Sequence, residues 1–320
     1  MVLAEGVGPI HPPFGGEFSI SSTGTLTHTI GHNETFIRLK WFARSGAETG
    51  SVGELVNSAG LSSISPDGKN IAINVYDPAK RESDIWVHDL SRGALSRITF
   101  GPGGRANPVW SPDGSRIAYS GPAGEILLKA ANGAGEEEQL GDDKLVKRVT
   151  DWSRDGEYLV GDATASNRGR EVWILKLSGA RKPELLFHTP FNEATPKISP
   201  DGRWIAYPSD ETKRSEVYVQ SFPTPGNKFQ VSTSGGRAPL WSRDGSELFF
   251  LTEDRKLAAA KVTRGAKFSA DVPKILFPST GSVGSFDVSK DGRFLIAIRD
   301  LGEGEAPVNI VLNWAAGLKK

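Results

Sequence analysis

Trp110-Ser111-Pro112-Asp113-Gly114-Ser115-Arg116-Ile117-Ala118 holds the end of one strand, a tight turn and the start of the next. Ser opens the turn, Pro presets its second position, Asp accepts local N–H groups, and Gly takes the left-handed conformation that closes a hairpin. The same Ser-x-Asp-Gly turn returns at Ser65 to Gly68, Ser153 to Gly156, Ser199 to Gly202, Ser242 to Gly245 and Ser289 to Gly292. Its glycines stand 46, 42, 46, 43 and 47 residues apart. Self-similarity at a period of about 40–50 residues marks a propeller or solenoid. The turn aspartates Asp67, Asp113, Asp155, Asp201, Asp244 and Asp291 are therefore expected to be structural.

Around each turn lie alternating strands. Asn107-Pro108-Val109-Trp110 leads in and Arg116-Ile117-Ala118-Tyr119 leads out. A third strand follows at Asp84 to Val87, Glu171 to Leu175 and Glu216 to Val219, where aromatic and aliphatic residues alternate with polar ones. Candidates for a fourth are Ala94 to Thr99, Glu138 to Leu140, Glu184 to Phe187, Lys228 to Ser232 and Lys274 to Phe277. Four antiparallel strands per repeat make a propeller blade.

A degenerate copy, Ser21-Ser22-Thr23-Gly24, lies 44 residues before Gly68 and is followed by Thr25-Leu26-Thr27. Counting it, residues 1–320 read as one all-β domain, a seven-bladed propeller; without it the ring has six blades. The last repeat, from Ser285, offers three strands ending with Val308 to Trp314. Val2-Leu3-Ala4, within a closing segment of residues 1–7, is expected to supply the missing strand, because a closed ring leaves no unpaired edge.

Composition agrees with short strands and tight turns. The chain has 37 Gly and 20 Pro, and hydrophobic residues make up 38%. Thirty-eight basic residues balance thirty-eight acidic ones, so no field of one sign draws nucleic acid or an anionic membrane. Cysteine is absent, which excludes disulfides, thiolate metal sites and thiol nucleophiles. No stretch has the length of apolar sequence that a membrane span needs, and the N-terminus lacks the pattern of an export signal. A monomer without membrane insertion is expected.

The Trp110 to Ala118 run and its sisters resemble the TolB-type, WD-repeat-like propellers of bacteria, over nearly the whole chain. More narrowly, Trp41-Phe42, Asp84-Ile85-Trp86, Arg181-Lys182-Pro183, Thr189-Pro190-Phe191-Asn192-Glu193 and Val311-Leu312-Asn313-Trp314 resemble the C-terminal propeller of bacterial membrane-anchored Ser/Thr kinases. That resemblance implies an extracytoplasmic sensing or binding domain. The chain carries no Gly-rich kinase loop, no catalytic Asp loop and no counterpart of the α/β domain that precedes the TolB propeller.

Residues capable of chemistry are scattered. His11, His28, His32, His88 and His188 are scattered over different repeats, the one close pair, His28 and His32, lies on a predicted strand and turn where a spacing of four does not reliably share a face, and none precedes a Ser-x-Asp-Gly turn, so no metal site and no cofactor is expected. No Gly-x-Ser-x-Gly elbow is present, and Gly101-Pro102-Gly103-Gly104 is followed by neither the Lys-Ser/Thr nor the helix of a phosphate loop. Glu136 to Glu138 with Asp142 and Asp143 alternate faces and cannot all converge on calcium. Trp110, Trp152 and Trp241 occupy one repeated position and are read as packing between blades.

Polar residues two places before the repeat Ser stand out, because an inner strand is ordinarily apolar or small there. Asp151, Lys197 and Asp287 either line a channel or pair between blades. Arg105, Arg148 and Arg237, near the start of inner strands, are candidates to receive an anionic group on a binding face. The expected function is a non-catalytic module that binds a protein, peptide or small ligand. A lyase or hydrolase using a channel-bound metal held by Asp151 and Asp287 is the alternative.

Overall fold

The computed structural model describes residues 36–58, 62–141, 147–165, 169–263, 267–279 and 281–300, together with the strands Phe18–Ile20, Thr25–Thr29 and Val308–Leu312. The chain clusters into two compact units, residues 37–299 and the paired end segments 1–36 and 300–320. In the second unit the three named strands form an antiparallel sheet, with Thr25–Thr29 central.

Residues 37–299 form the propeller. Among the described residues, six sheets of four or more antiparallel strands succeed one another. Blade 1 is Ser62–Ile64, Asn70–Asp77, Glu82–Asp89 and Ala94–Arg97. Blade 2 is Ala106–Trp110, Arg116–Ser120, Ile126–Ala130 and Glu138–Leu140. Lys147–Trp152, Tyr158–Ala165, Gly169–Lys176 and Pro183–Leu185 make blade 3, and Lys197–Ile198, Trp204–Ser209, Glu216–Ser221 and Lys228–Gln230 make blade 4. Blade 5 runs Arg237–Trp241, Glu247–Leu251, Lys256–Thr263 and Lys274–Pro278, with Ser269–Ala270 added at the end of its third strand. All five expected fourth strands form.

Blade 6 corrects the seven-blade expectation. Ser282–Val288 and Phe294–Arg299 are its inner strands, and its outer two come from the other end of the chain, Phe36–Phe42 and Glu48–Asn57. Phe294 pairs with Phe42 and Arg299 with Ile37. The strand Val308–Leu312, expected as the third of this blade, pairs instead with Thr25–Thr29. The degenerate turn at 21–24 and the closing segment 1–7 lie outside the described residues. The strand after that turn belongs to the separate sheet, and the copy has Thr23 where the six true turns have Asp.

That aspartate organises each hairpin. In the second blade Ser111 Oγ donates to Asp113 Oδ1 (2.5 Å), Ser115 N donates to the same oxygen (3.0 Å), and Arg116 N donates to Ser111 Oγ (2.9 Å). Gly114 closes the turn at φ +73° with its N–H on Ser111 O, a conformation that disfavours any Cβ. Asp67, Asp155, Asp201 and Asp244 repeat the Ser and N–H contacts, and Asp291 binds Ser289 and Arg293.

The hydrophobic core lies between the blades. Each of six buried clusters among the described residues draws its side chains from two adjacent blades. Strand alternation is the cause: in Glu247–Leu251, Leu248 and Phe250 pack toward blade 4, while Phe249 and Leu251 pack toward blade 6. The outer strands of blade 6 put Ile37, Leu39, Trp41 and Val52 against Ile64, Ile71 and Ile73 of blade 1, which closes the ring.

The hydrogen bonds of the turn hold the Asp113 and Asp244 carboxyls down to about 2. Stability from these groups is present above the ordinary aspartate value and is lost as pH falls through about 2. Urea unfolding from pH 5 downward is expected to show this acid limb, and D244A to lower stability by about 1 kcal/mol at pH 7. An acid limb that persists in the combined variant D113N/D244N would assign it to other carboxylates.

Candidate functional site

The six inner strands surround a cavity of about 590 Å³. Three levels of side chains reach it. Asn107, Arg148, Thr195, Ala238 and Ser285 line its far end; Ser63, Val109, Asp151, Lys197, Leu240 and Asp287 line its middle. At the near end, the second residue of every turn lines it: Pro66, Pro112, Arg154, Pro200, Arg243 and Lys290.

At the middle level the three polar residues singled out from the sequence all face the cavity, Asp151 and Lys197 from adjacent blades 3 and 4 and Asp287 from blade 6, and two of them also join blades. Asp151 Oδ2 accepts the Ile198 N–H of blade 4 (2.7 Å), and Asp287 Oδ2 accepts the Ile64 N–H of blade 1 (2.7 Å). The second oxygen of Asp287 takes the Val288 N–H (2.7 Å), and Asp151 accepts the Trp152 N–H as well. Tryptophans tie the same two blades from the opposite side: Trp110 Nε1 donates to Ser63 O and Trp241 Nε1 to Lys197 O, each at 2.9 Å. Trp152 departs from this pattern and donates to Gly156 O of its own turn (3.3 Å).

Lys197 Nζ donates to Thr150 O, and the Thr150 hydroxyl donates to Pro196 O (2.8 Å), so blades 3 and 4 are bonded repeatedly. Burial pushes the Asp151 carboxyl above the ordinary aspartate value, while the Lys197 ammonium pulls it down. Arg243 approaches Asp287 at 3.8 Å. Two backbone donors on each carboxylate and cations alongside make Asp151 and Asp287 a poor metal cradle. Among the described residues no three His, Asp or Glu side chains gather as a metal site.

The three nominated arginines do not gather. Arg148 reaches the cavity, held by both oxygens of buried Asp162 at 2.9 Å; Arg170 and the Thr195 N–H complete that carboxylate's partners. Arg105 turns into its own blade, where it is buried in a two-point pair with Glu137 (2.7 and 3.0 Å) that also accepts the Tyr119 hydroxyl. Arg237 is exposed and lies off the cavity. Start-of-strand position alone does not decide which way a long side chain turns.

Sequence reading passed over Arg154, Arg243 and Lys290. The signal was in the repeat: the second turn position is Pro in three copies and a cation in the other three. Arg154 donates to Arg243 O (2.6 Å) and Arg243 Nε to Val288 O (3.0 Å), so each guanidinium reaches to a later blade.

No family model matches the chain. The uncharacterized peptidase YuxL of Bacillus subtilis is 25% identical over 161 residues, 48% of this chain and 23% of that protein, so the chain spans under a quarter of this curated relative. A TolB-type protein of Agrobacterium tumefaciens superimposes with a TM-score of 0.63 at 18% identity, covering 84% of this chain and 99% of that one. The fold is that of a TolB-like β-propeller. The oligogalacturonate lyase of Vibrio parahaemolyticus matches with a TM-score of 0.54 at 11% identity, covering 86% and 75%. Identities this low establish a shared TolB-like architecture, and a fold by itself carries no ligand.

Glu193, between blades 3 and 4, was not nominated as a site residue from the sequence. It is 2% exposed, and its Oε1 has no hydrogen-bond partner; the Oγ of Ser209, its bridged neighbour, has none either. Burial pushes its carboxyl up to about 7, with a hydrogen bond from Thr189 acting the other way.

Two measurements probe these groups. D287A strands the buried Ile64 N–H and is expected to cost about 1–3 kcal/mol in urea unfolding, with D287N costing less because an acceptor remains. Equal, negligible losses would show that this bond does not hold blades 6 and 1. For Glu193 the folded value lies above the unfolded one, so the native state binds the extra proton and stability falls as pH rises toward about 7. E193Q is expected to flatten the stability profile between the ordinary glutamate value and about 7, and to gain up to about 3 kcal/mol above it. An unchanged slope would remove Glu193 as its source.

Proposed function

We propose that this chain is a non-catalytic binding module whose ligand enters the channel. One observation carries this reading: the carboxylates that face the channel already accept backbone N–H groups from their own and neighbouring blades, while cations line its turn-side mouth. A general base or metal ligand needs a free carboxylate oxygen within reach of substrate, and Asp151 and Asp287 are committed to the ring. The narrower resemblance to the propellers of membrane-anchored Ser/Thr kinases supports a sensory role outside the cytoplasm. No helix of the described residues is long and apolar enough to cross a membrane.

The second reading, a lyase or hydrolase, draws on the peptidase and lyase among the similar proteins. The purified protein, given polygalacturonate with and without manganese(II) and a panel of chromogenic esters and peptides, is expected to turn over none of them. Turnover that disappears in D151N while the fold is kept would replace the binding reading with the enzymatic one.

A further inference from the structure

The cations of the channel are distributed unevenly around the ring. At the turn level blade 3 contributes Arg154, blade 5 Arg243 and blade 6 Lys290, with no carboxylate lining the cavity at that level among the described residues; one level further in, Lys197 shares the channel with Asp151 and Asp287. At the same levels blades 1 and 2 contribute Pro66, Pro112, Ser63 and Val109. One arc of the mouth is therefore basic and the facing arc mostly apolar. The six turn aspartates do not line the cavity. Asp67, whose carboxyl the Lys290 charge helps to lower, is tied to the Ser65 hydroxyl and the Lys69 N–H. The chain as a whole is neutral, so this local excess of positive charge belongs to the channel.

The basic arc is also ordered in advance. Arg154 is anchored on Arg243 O and Arg243 on Val288 O, so guanidinium groups sit at fixed places on the rim and lose little freedom when an anion arrives. At about 590 Å³ the cavity has the size of a small-molecule site and not of an extended protein interface.

We propose that the turn-side mouth of the channel binds a carboxylate carried on a compact apolar stem, the carboxylate meeting Arg154, Arg243 and Lys290 and the stem lying on Pro66, Pro112 and Val109. This rests on the channel-binding reading above and specifies its ligand. Either a free organic acid or the C-terminal carboxylate of a peptide chain presents that chemistry.

The test uses the full chain and three probes: 3-phenylpropionate, the peptide acetyl-Gly-Leu-Phe with a free C-terminus, and the same peptide as its C-terminal amide. Binding is read from the indole N–H resonances of Trp110 and Trp241 in titrations to about 10 mM, the range of weak small ligands. The acids are expected to bind saturably, more weakly at high salt, and the amide about tenfold more weakly. The phenylpropionate and peptide arms separate the two sources. R154Q and K290Q should each weaken the acids by up to about tenfold, whereas K69Q, in a turn but off the cavity, should not.

Equal binding of acid and amide would overturn the carboxylate assignment and leave the channel-binding reading standing. Absence of any perturbation with all three probes would also overturn it, and the turnover assays above would then judge the wider reading separately. Should R154Q unfold, K290Q decides, because no hydrogen bond or ion pair of the Lys290 side chain occurs among the described residues.

Discussion

No blade of this propeller can bury its own side chains. A strand offers alternate residues to opposite faces, and in the middle of the ring both faces are apolar, so every blade needs a neighbour on each side. An open row would leave two apolar faces in water. Closure follows from that cost, since fully burying a Leu, Ile or Phe side chain is worth about 1.5–3 kcal/mol and each interface holds several. Blade 6 is where the requirement becomes visible, for it is assembled from both ends of the propeller segment.

Polar bonds in the inner ring reinforce this closure. Ile64 of blade 1 and Ile198 of blade 4 occupy matching places: each receives an aspartate from the preceding blade, and the carbonyl before it receives an indole from the following blade. Blades 1 to 3 and 4 to 6 thus repeat one another at this level. The aspartates that a reader of the sequence would nominate for catalysis are cross-ties between blades, which explains their presence on an otherwise apolar strand without invoking chemistry.

Variation is tolerated elsewhere. The second position of the turn needs only a conformation that most residues adopt, so it can be Pro, Arg or Lys without disturbing the hairpin. Because that position faces the channel in all six turns, the cations there cost the fold little and set the charge of the mouth. The scaffold and the lining of the channel are carried by adjacent residues of the same tetrapeptide, Asp and Gly holding the turn while the second residue faces the cavity.

Much of this was written locally. Turn, flanking strands and fourth strands were legible because Ser111, Asp113, Gly114 and Arg116 satisfy one another within a few residues, and the same holds in the other five copies. That Asp151, Lys197 and Asp287 are exceptional on their inner strands was legible too, from their polarity. What they bond to was not: Asp287 meets Ile64 across 223 residues of chain, and Asp151 meets Ile198 across 47. Blade number, the strands that close the ring, the inward turn of Arg105 and the gathering of Arg154, Arg243 and Lys290 were decided in the same way. A turn is fixed by hydrogen bonds among near neighbours. Which strand completes a blade, and which side chains share a channel, depends on where the ring closes in space, and only the tertiary structure sets that.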